Sequence, residues 1–264
     1  MSETFFLIDG ETGSGKSSWM ATKVKEIAHR NMRWYLRASK KHQENQKFGI
    51  ESTPPILREI WSCMKWSSEF NEYFGGVGDA QGDGKMLHHW DSEDFHRIVP
   101  YLYNCDIFID ELGAILPADN WKDCPLETRR MLAQHRKRGL EIYANTQDFA
   151  MIDINARRMM SHVYHATKLF GSRDISATKP PPRWIYGVVM INEIENFRTS
   201  TSAADRQFVA QLPDFFWLDK DLVDIYDTTE DIKGAGYAPL RHITRKCEKH
   251  GTEDDCNYVK TEHK

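Results

Sequence analysis

Residues 10–17 read Gly-Glu-Thr-Gly-Ser-Gly-Lys-Ser, a complete G-x-x-x-x-G-K-S phosphate loop. The apolar run Phe5, Phe6, Leu7, Ile8 precedes it and an amphipathic, helix-like stretch follows, the strand-loop-helix context that gives the motif its meaning. Gly10, Gly13 and Gly15 permit positive φ and close backbone approach to an anion, so that successive N–H groups converge on phosphate. The helix that opens after them favours negative charge at its N-terminus. Lys16 is placed to reach the β- and γ-phosphates, the Ser17 hydroxyl to sit on the bridging magnesium ion, and Ser18 to add a hydroxyl near the α-phosphate. Gly10, Glu11, Thr12, Gly13, Ser14, Gly15, Lys16, Ser17 and Ser18 are thus the expected nucleotide-binding residues.

The chain has 264 residues, of which 40% are hydrophobic, enough for one large α/β domain with a small extension. Its formal charge of -4 gives no global attraction to nucleic acid, so such contact needs a local basic face. No apolar run approaches the roughly 18 residues a membrane span requires. Glu3 stands where a signal peptide carries positive charge, which points to a cytosolic protein. Cys63, Cys105, Cys124, Cys247 and Cys256 are odd in number and scattered, a pattern of reduced thiols.

Thr4 to Ile8 reads as the first strand, Lys16 to about His29 as a helix, and Arg33 to Arg37 as a second strand. Residues 38–88, with Pro54, Pro55 and glycines at 75, 76, 78, 82 and 84, read as an insertion with loops. Asp91 and Ser92 read as helix caps, with Pro100 ending that helix.

Residues 105–111, CDIFIDE, combine a buried-strand run with two terminal carboxylates. In parallel α/β sheets ligands gather at the carboxyl ends of strands. Asp110 is therefore expected beside the phosphate loop, holding Mg2+, and Glu111 as the general base that polarises water. The segment GLEIYANTQ, residues 139–147, reads as a helix-ending glycine and a strand finishing at Gln147. Its side chain can contact both a γ-phosphate and the lytic water. The separation from Asp110 leaves room for one crossover helix, which sets the two strand ends side by side.

After the three prolines 180–182, RWIYGVVMINEIENF reads as one or two antiparallel strands, at a sheet edge or in a hairpin. Asp214 to Tyr226 reads as a docked helix. Cys247, His250, Cys256 and His263 are four zinc-type ligands, but the Cys256 to His263 spacing fits no recognised finger, and a flexible polar tail with incidental cysteines is the favoured reading over a zinc site. His162 and His165 read as ordinary strand histidines.

With FIDELGAILP followed by QHRKRGLEIYANTQDFAMID, and IYDTTE at 225–230, the chain resembles the Zot family of filamentous-phage assembly ATPases within the FtsK/HerA superfamily. The resemblance implies a RecA-like (ASCE) P-loop NTPase: a mostly parallel central sheet flanked by helices, plus a short C-terminal extension. Residues 1–200 would be the ATPase domain, with the insertion at about 38–88, and 201–264 a partly flexible extension. It further implies ATP and Mg2+, a ring oligomer of six copies, sequence-independent contact with viral DNA, and capsid or assembly partners. The place of action would be the host cytoplasm, with the virion or a membrane reached through partners. The motor would package a genome or assemble a virion. Export through a membrane partner is the alternative, because the family's usual transmembrane helix is not visible.

Rings of this kind complete each site with a neighbour's arginine. Arg136, Arg138, Arg157 and Arg158 are the candidates, Arg138 foremost because it lies just before the Gln147 strand. Arg129, Arg130, Arg136, Lys137 and Arg138, and a second cluster of Arg30, Arg33, Arg37, Lys40 and Lys41, are the candidate DNA-facing residues. A P-loop kinase and a non-hydrolysing nucleotide-gated scaffold share the loop; Glu111 and Gln147 favour water as the acceptor over the kinase, and intact Lys16, Asp110 and Glu111 argue against the scaffold.

Overall fold

The structure is a computed structural model that describes residues 4–64, 66, 86–119, 121–170, 187–200 and 202–218. Its strands are β1 (Phe5–Asp9), β2 (Ile60–Ser62), β3 (Leu87–His89), β4 (Asp106–Ile109), β5 (Glu141–Asn145), β6 (His162–Phe170), β7 (Gly187–Glu193) and β8 (Asp214–Leu218). The helices are α1 (Lys16–Lys47), α2 (Phe95–Ile98), α3 (Leu112–Ile115), α4 (Leu126–Gln134) and α5 (Ile154–Arg157). The strands form one sheet in the order β3-β2-β4-β5-β1-β6-β7-β8. All neighbours are parallel as far as β6, and β7 and β8 then add antiparallel. This is the mostly parallel, helix-flanked α/β sheet expected of the motifs.

The alternation of the central strands divides the core between two faces. Phe5, Leu7, Ile107, Ile109, Ile142 and Ala144 pack on one side with Met131 and Leu132 of α4 and with Phe95, Leu112 and Phe149. Ile8, Phe108 and Tyr143 face the other side, where α1 supplies Trp19, Met20, Val24 and Ile27. Tyr143 stacks between Phe6 and Phe108, with ring centroids 5.0 and 4.9 Å away, so an aromatic row ties β1, β5 and β4 together under α1.

Two elements differ from expectation. Arg33 to Arg37 is not a strand: α1 runs unbroken for 32 residues, roughly 48 Å at 1.5 Å per residue. No Gly or Pro interrupts it between Ser17 and Lys47, and Gly49, at φ 68, follows its end. Residues 38–47 of the expected insertion are thus the end of this helix, and residues 67–85, with its glycines, lie outside the described residues. Asp214 to Leu218 is likewise a strand, not a helix, because DFFWL finds an antiparallel partner in β7. Lesser differences concern caps and ends. Asp91 makes no side-chain capping bond; its carbonyl accepts the Asp94 N–H at 2.8 Å instead. Pro100 lies in a 3-10 turn after α2, as a helix-ending residue should. Pro180 to Pro182, residues 225–230 and the four zinc-type ligands lie outside the described residues.

Candidate nucleotide site

The strand order puts β5 between β1 and β4, so three chain tips meet at one carboxyl edge of the sheet. The phosphate loop leaves β1 with Gly10, Gly13 and Gly15 all at positive φ. A Cβ on Gly10 would come 2.6 Å from the Ala166 carbonyl oxygen, and one on Gly15 would come 2.6 Å from Val189 Cγ2. The loop is therefore seated directly on β6 and β7. The Gly10 N–H donates to the Gln147 carbonyl at 3.3 Å, which joins the start of the loop to the residue just beyond β5. The Gln147 side chain is exposed.

Lys16 is buried, and its ammonium donates to the carbonyls of Gly10 at 2.7 Å and Glu11 at 3.0 Å. Burial lowers its pKa, against the opposing pull of Glu111, Asp110 and Asp9. The Ser14 hydroxyl is also buried and has no hydrogen-bond partner among the described residues. An orphaned hydroxyl two residues before a buried cation, in a loop with three glycines at positive φ, fits an anion. Glu11, Thr12 and Gly13 are exposed, Ser17 is half-buried, and Ser18 is buried at the first turn of α1.

Asp110 and Glu111 follow β4 and are both half-buried. The Asp110 N–H donates to Cys63 Sγ at 2.9 Å, and burial pushes that thiol up to about 12, so it stays protonated. Glu111 adopts φ 50 and ψ 55, a left-handed conformation unusual for a residue with a Cβ. Asn145, which the sequence reading passed over, serves both acids. Its amide donates to Asp110 Oδ1 at 2.5 Å and its oxygen accepts the Glu111 N–H at 2.8 Å. Only the sheet register reveals it: with Ile109 opposite Ala144, the next pair along the two strands is Asp110 and Asn145. Ser17 and Asp110 present the hard oxygen donors that Mg2+ prefers.

Asp9, fully buried at the entrance to the loop, was also passed over. It accepts from His165 Nδ1 at 2.7 Å, from Arg206 at 2.9 Å and from the Phe149 N–H at 3.2 Å. Arg206 also lies 3.6 Å from Asp148, so residues after β7 are fastened to the loop and to the turn beyond Gln147. His165 is thus a structural strand histidine, as is His162, which pairs with Glu193 at 2.5 Å.

The expected arginines do not gather at this edge. Arg138 precedes β5 at its amino end, donates to the Pro100 carbonyl and stacks over Tyr103 at 4.8 Å. Arg157 is buried and donates to the carbonyls of Ile152, Phe197 and Ser200, which makes it a framework residue. Arg136 and Arg158 are exposed. In the first basic cluster His135 is buried, while Arg130, Arg136 and Lys137 are exposed. In the second, Arg30 is drawn into ion pairs with Asp106 at 3.6 Å and Glu141 at 3.3 Å. Among the described residues, no group of three or more His, Cys, Asp or Glu could hold a metal ion, and no helix is long and apolar enough to cross a membrane.

Residues 83–178 match the family model described as Zonular occludens toxin (Zot). Among solved structures, the N-terminal domain of zonular occludens toxin from Neisseria meningitidis is similar at 18% identity and a TM-score of 0.43, covering 86% of this chain and 100% of that one. The genome packaging NTPase B204 from Sulfolobus turreted icosahedral virus 2, in complex with ATP-gammaS, is similar at 13% identity and a TM-score of 0.38, covering 80% and 100%. The flagellar accessory protein FlaH from Methanocaldococcus jannaschii is similar at 10% identity and a TM-score of 0.38, covering 81% and 89%. No curated protein matches the chain.

Proposed function

We propose that this chain, Zot-like in sequence over residues 83–178, is an ATP hydrolase that drives DNA translocation in phage or viral assembly. The observation that carries the reading is the joining of Gly10 to Gln147 across the edge where Asp110 and Glu111 also emerge. One triphosphate seated on the loop then faces a cation, an amide and two acids, which is the equipment for transfer of a phosphoryl group to water.

In this reading the loop N–H groups and Lys16 bind the phosphates, and Lys16 exchanges its two carbonyl partners for phosphate oxygens. Ser17 and Asp110 would hold Mg2+, which would neutralise phosphate charge. Glu111 accepts a proton from the attacking water, and Gln147 orients that water toward the γ-phosphate. An arginine from a neighbouring copy, Arg138 by position or one of the exposed Arg136 and Arg158, would stabilise the transition state in a ring. Viral DNA, held through phosphates by exposed basic residues such as Arg130, Arg136 and Lys137, is the proposed substrate of movement. Capsid or assembly proteins are the proposed partners and the host cytoplasm the place of action.

Phosphate release with and without DNA tests this reading. Wild type is expected to hydrolyse ATP, faster with DNA. Lys16→Ala should lose tight ATP binding, whereas Glu111→Gln should bind ATP and turn over about 100-fold more slowly or less. Wild-type turnover in Glu111→Gln would remove the base from the assignment, and phosphate transfer to a small acceptor in place of water would make the protein a kinase.

A further inference from the structure

We infer that Asn145 is a positioning residue that sets the Asp110 carboxylate and the Glu111 backbone from a single buried amide. The inference rests on the roles proposed above for those two acids.

Asn145 is the last residue of β5 and only 1% exposed. Its neighbours there present opposite needs: Asp110 offers a carboxylate that accepts, and Glu111 offers an N–H that donates. A neutral side chain that reaches both must carry a donor and an acceptor at fixed separation, and a carboxamide does so. The two contacts, 2.5 Å to Asp110 Oδ1 and 2.8 Å from the Glu111 N–H, use each end of it.

The second contact has a conformational consequence. Glu111 turns left-handed between β4 and α3, and this turn decides where its side chain leaves the strand. The hydrogen bond to Asn145 anchors the N–H of the turning residue, while the Ala114 N–H donates to the Glu111 carbonyl at 2.9 Å and anchors the other side. Asn145 also stands two residues before Gln147, whose carbonyl takes the Gly10 N–H. The acid pair and the phosphate loop are thus tied to neighbouring residues at the end of β5, through separate contacts.

Two substitutions separate the contacts. Asn145→Leu keeps the branched shape at Cγ and removes both. Asn145→Asp keeps an acceptor for the Glu111 N–H, removes the donor to Asp110 and sets a like charge against it. The measurements are hydrogen exchange of the Glu111 amide in the nucleotide-free protein, and kcat and KM for ATP with Mg2+. The Glu111 amide should be protected in wild type and in Asn145→Asp, and lose at least about tenfold of that protection in Asn145→Leu. Both variants should lower kcat by about 100-fold with KM for ATP changed less than about threefold, since the phosphate loop is untouched. Protection of the wild-type kind in Asn145→Leu, or wild-type kcat in either variant, would overturn the inference. If wild type shows no Lys16-dependent hydrolysis, the proposed function fails, and amide exchange, measured with no nucleotide, still decides whether Asn145 sets the Glu111 backbone.

Discussion

Lys16 pays for its reach toward phosphate with burial: its ammonium leans on two loop carbonyls and its pKa is lowered from 10.5 by desolvation. The sign of the linkage follows. The charged form is held less well by the folded chain than by the unfolded chain, so below the folded pKa folding carries the whole cost of the buried charge. That cost shrinks as pH rises through the folded pKa and is gone above the unfolded value. Lys16→Met removes the titration. The difference in melting temperature between wild type and Lys16→Met, measured without nucleotide, should therefore move in favour of wild type as the pH rises from 7 to 10.5. A difference that stays constant with pH would show that the lysine is as well solvated folded as unfolded. The same residue shows how far local sequence carries. Lys16, Ser17, Asp110 and Glu111 are legible because each motif states its own chemistry. Asn145, Asp9 and Arg206 are not, since each acts through a neighbour that only the sheet brings near.

At the scale of elements, the phosphate loop is shaped by what lies across from it. Gly15 stands before α1 at φ 97, and its missing Cβ is where Val189 of β7 puts a methyl group. Gly15→Ala should thus destabilise by about 1–3 kcal/mol, partly from φ and partly from the clash. Val189→Ala clears the clash and leaves the φ cost. In a double-mutant cycle read by denaturant unfolding, the double variant should be more stable than the sum of the single losses by at least about 0.5 kcal/mol. Simple additivity would place the whole penalty in the backbone. The glycine was expected from its motif, but Val189 was not, because it arrives from a strand far along the chain. The two misread elements have the same origin. Trp34, Tyr35 and Leu36 resemble a strand in composition, yet they sit within a stretch that nothing breaks; Phe215 and Phe216 resemble a docking helix until β7 offers a ladder. The short central strands were readable because burial on both faces leaves them continuously apolar.

Across the whole molecule, the two ends of the parallel strands have been given different work. The carboxyl end holds the loop, the acids and Gln147. The amino end is closed by charge: fully buried Asp106 accepts from Arg58 Nε at 3.0 and 3.1 Å and from its NH2 group at 2.9 Å, and from Asn31 at 2.8 Å. Arg58 reaches on to Asn104 and the Cys105 carbonyl, and Arg30 joins Asp106 to Glu141. This network pins α1 and the segment before β2 to the starts of β4 and β5. Arg58→Met keeps most of the side-chain bulk but leaves a buried carboxylate with Asn31 as its closest partner. Breaking one side of a buried pair costs roughly 3–5 kcal/mol; with Asn31 and Arg30 remaining, the lower figure applies, a fall in melting temperature of about 6–12 °C. ATP affinity, measured well below that melting point, should stay within about threefold of wild type, because no group at the carboxyl end has lost a partner. A variant that melts early and also binds ATP poorly would mean that the amino-end network does more than support the strands, and that the spacing of the site itself depends on charge buried at the opposite edge.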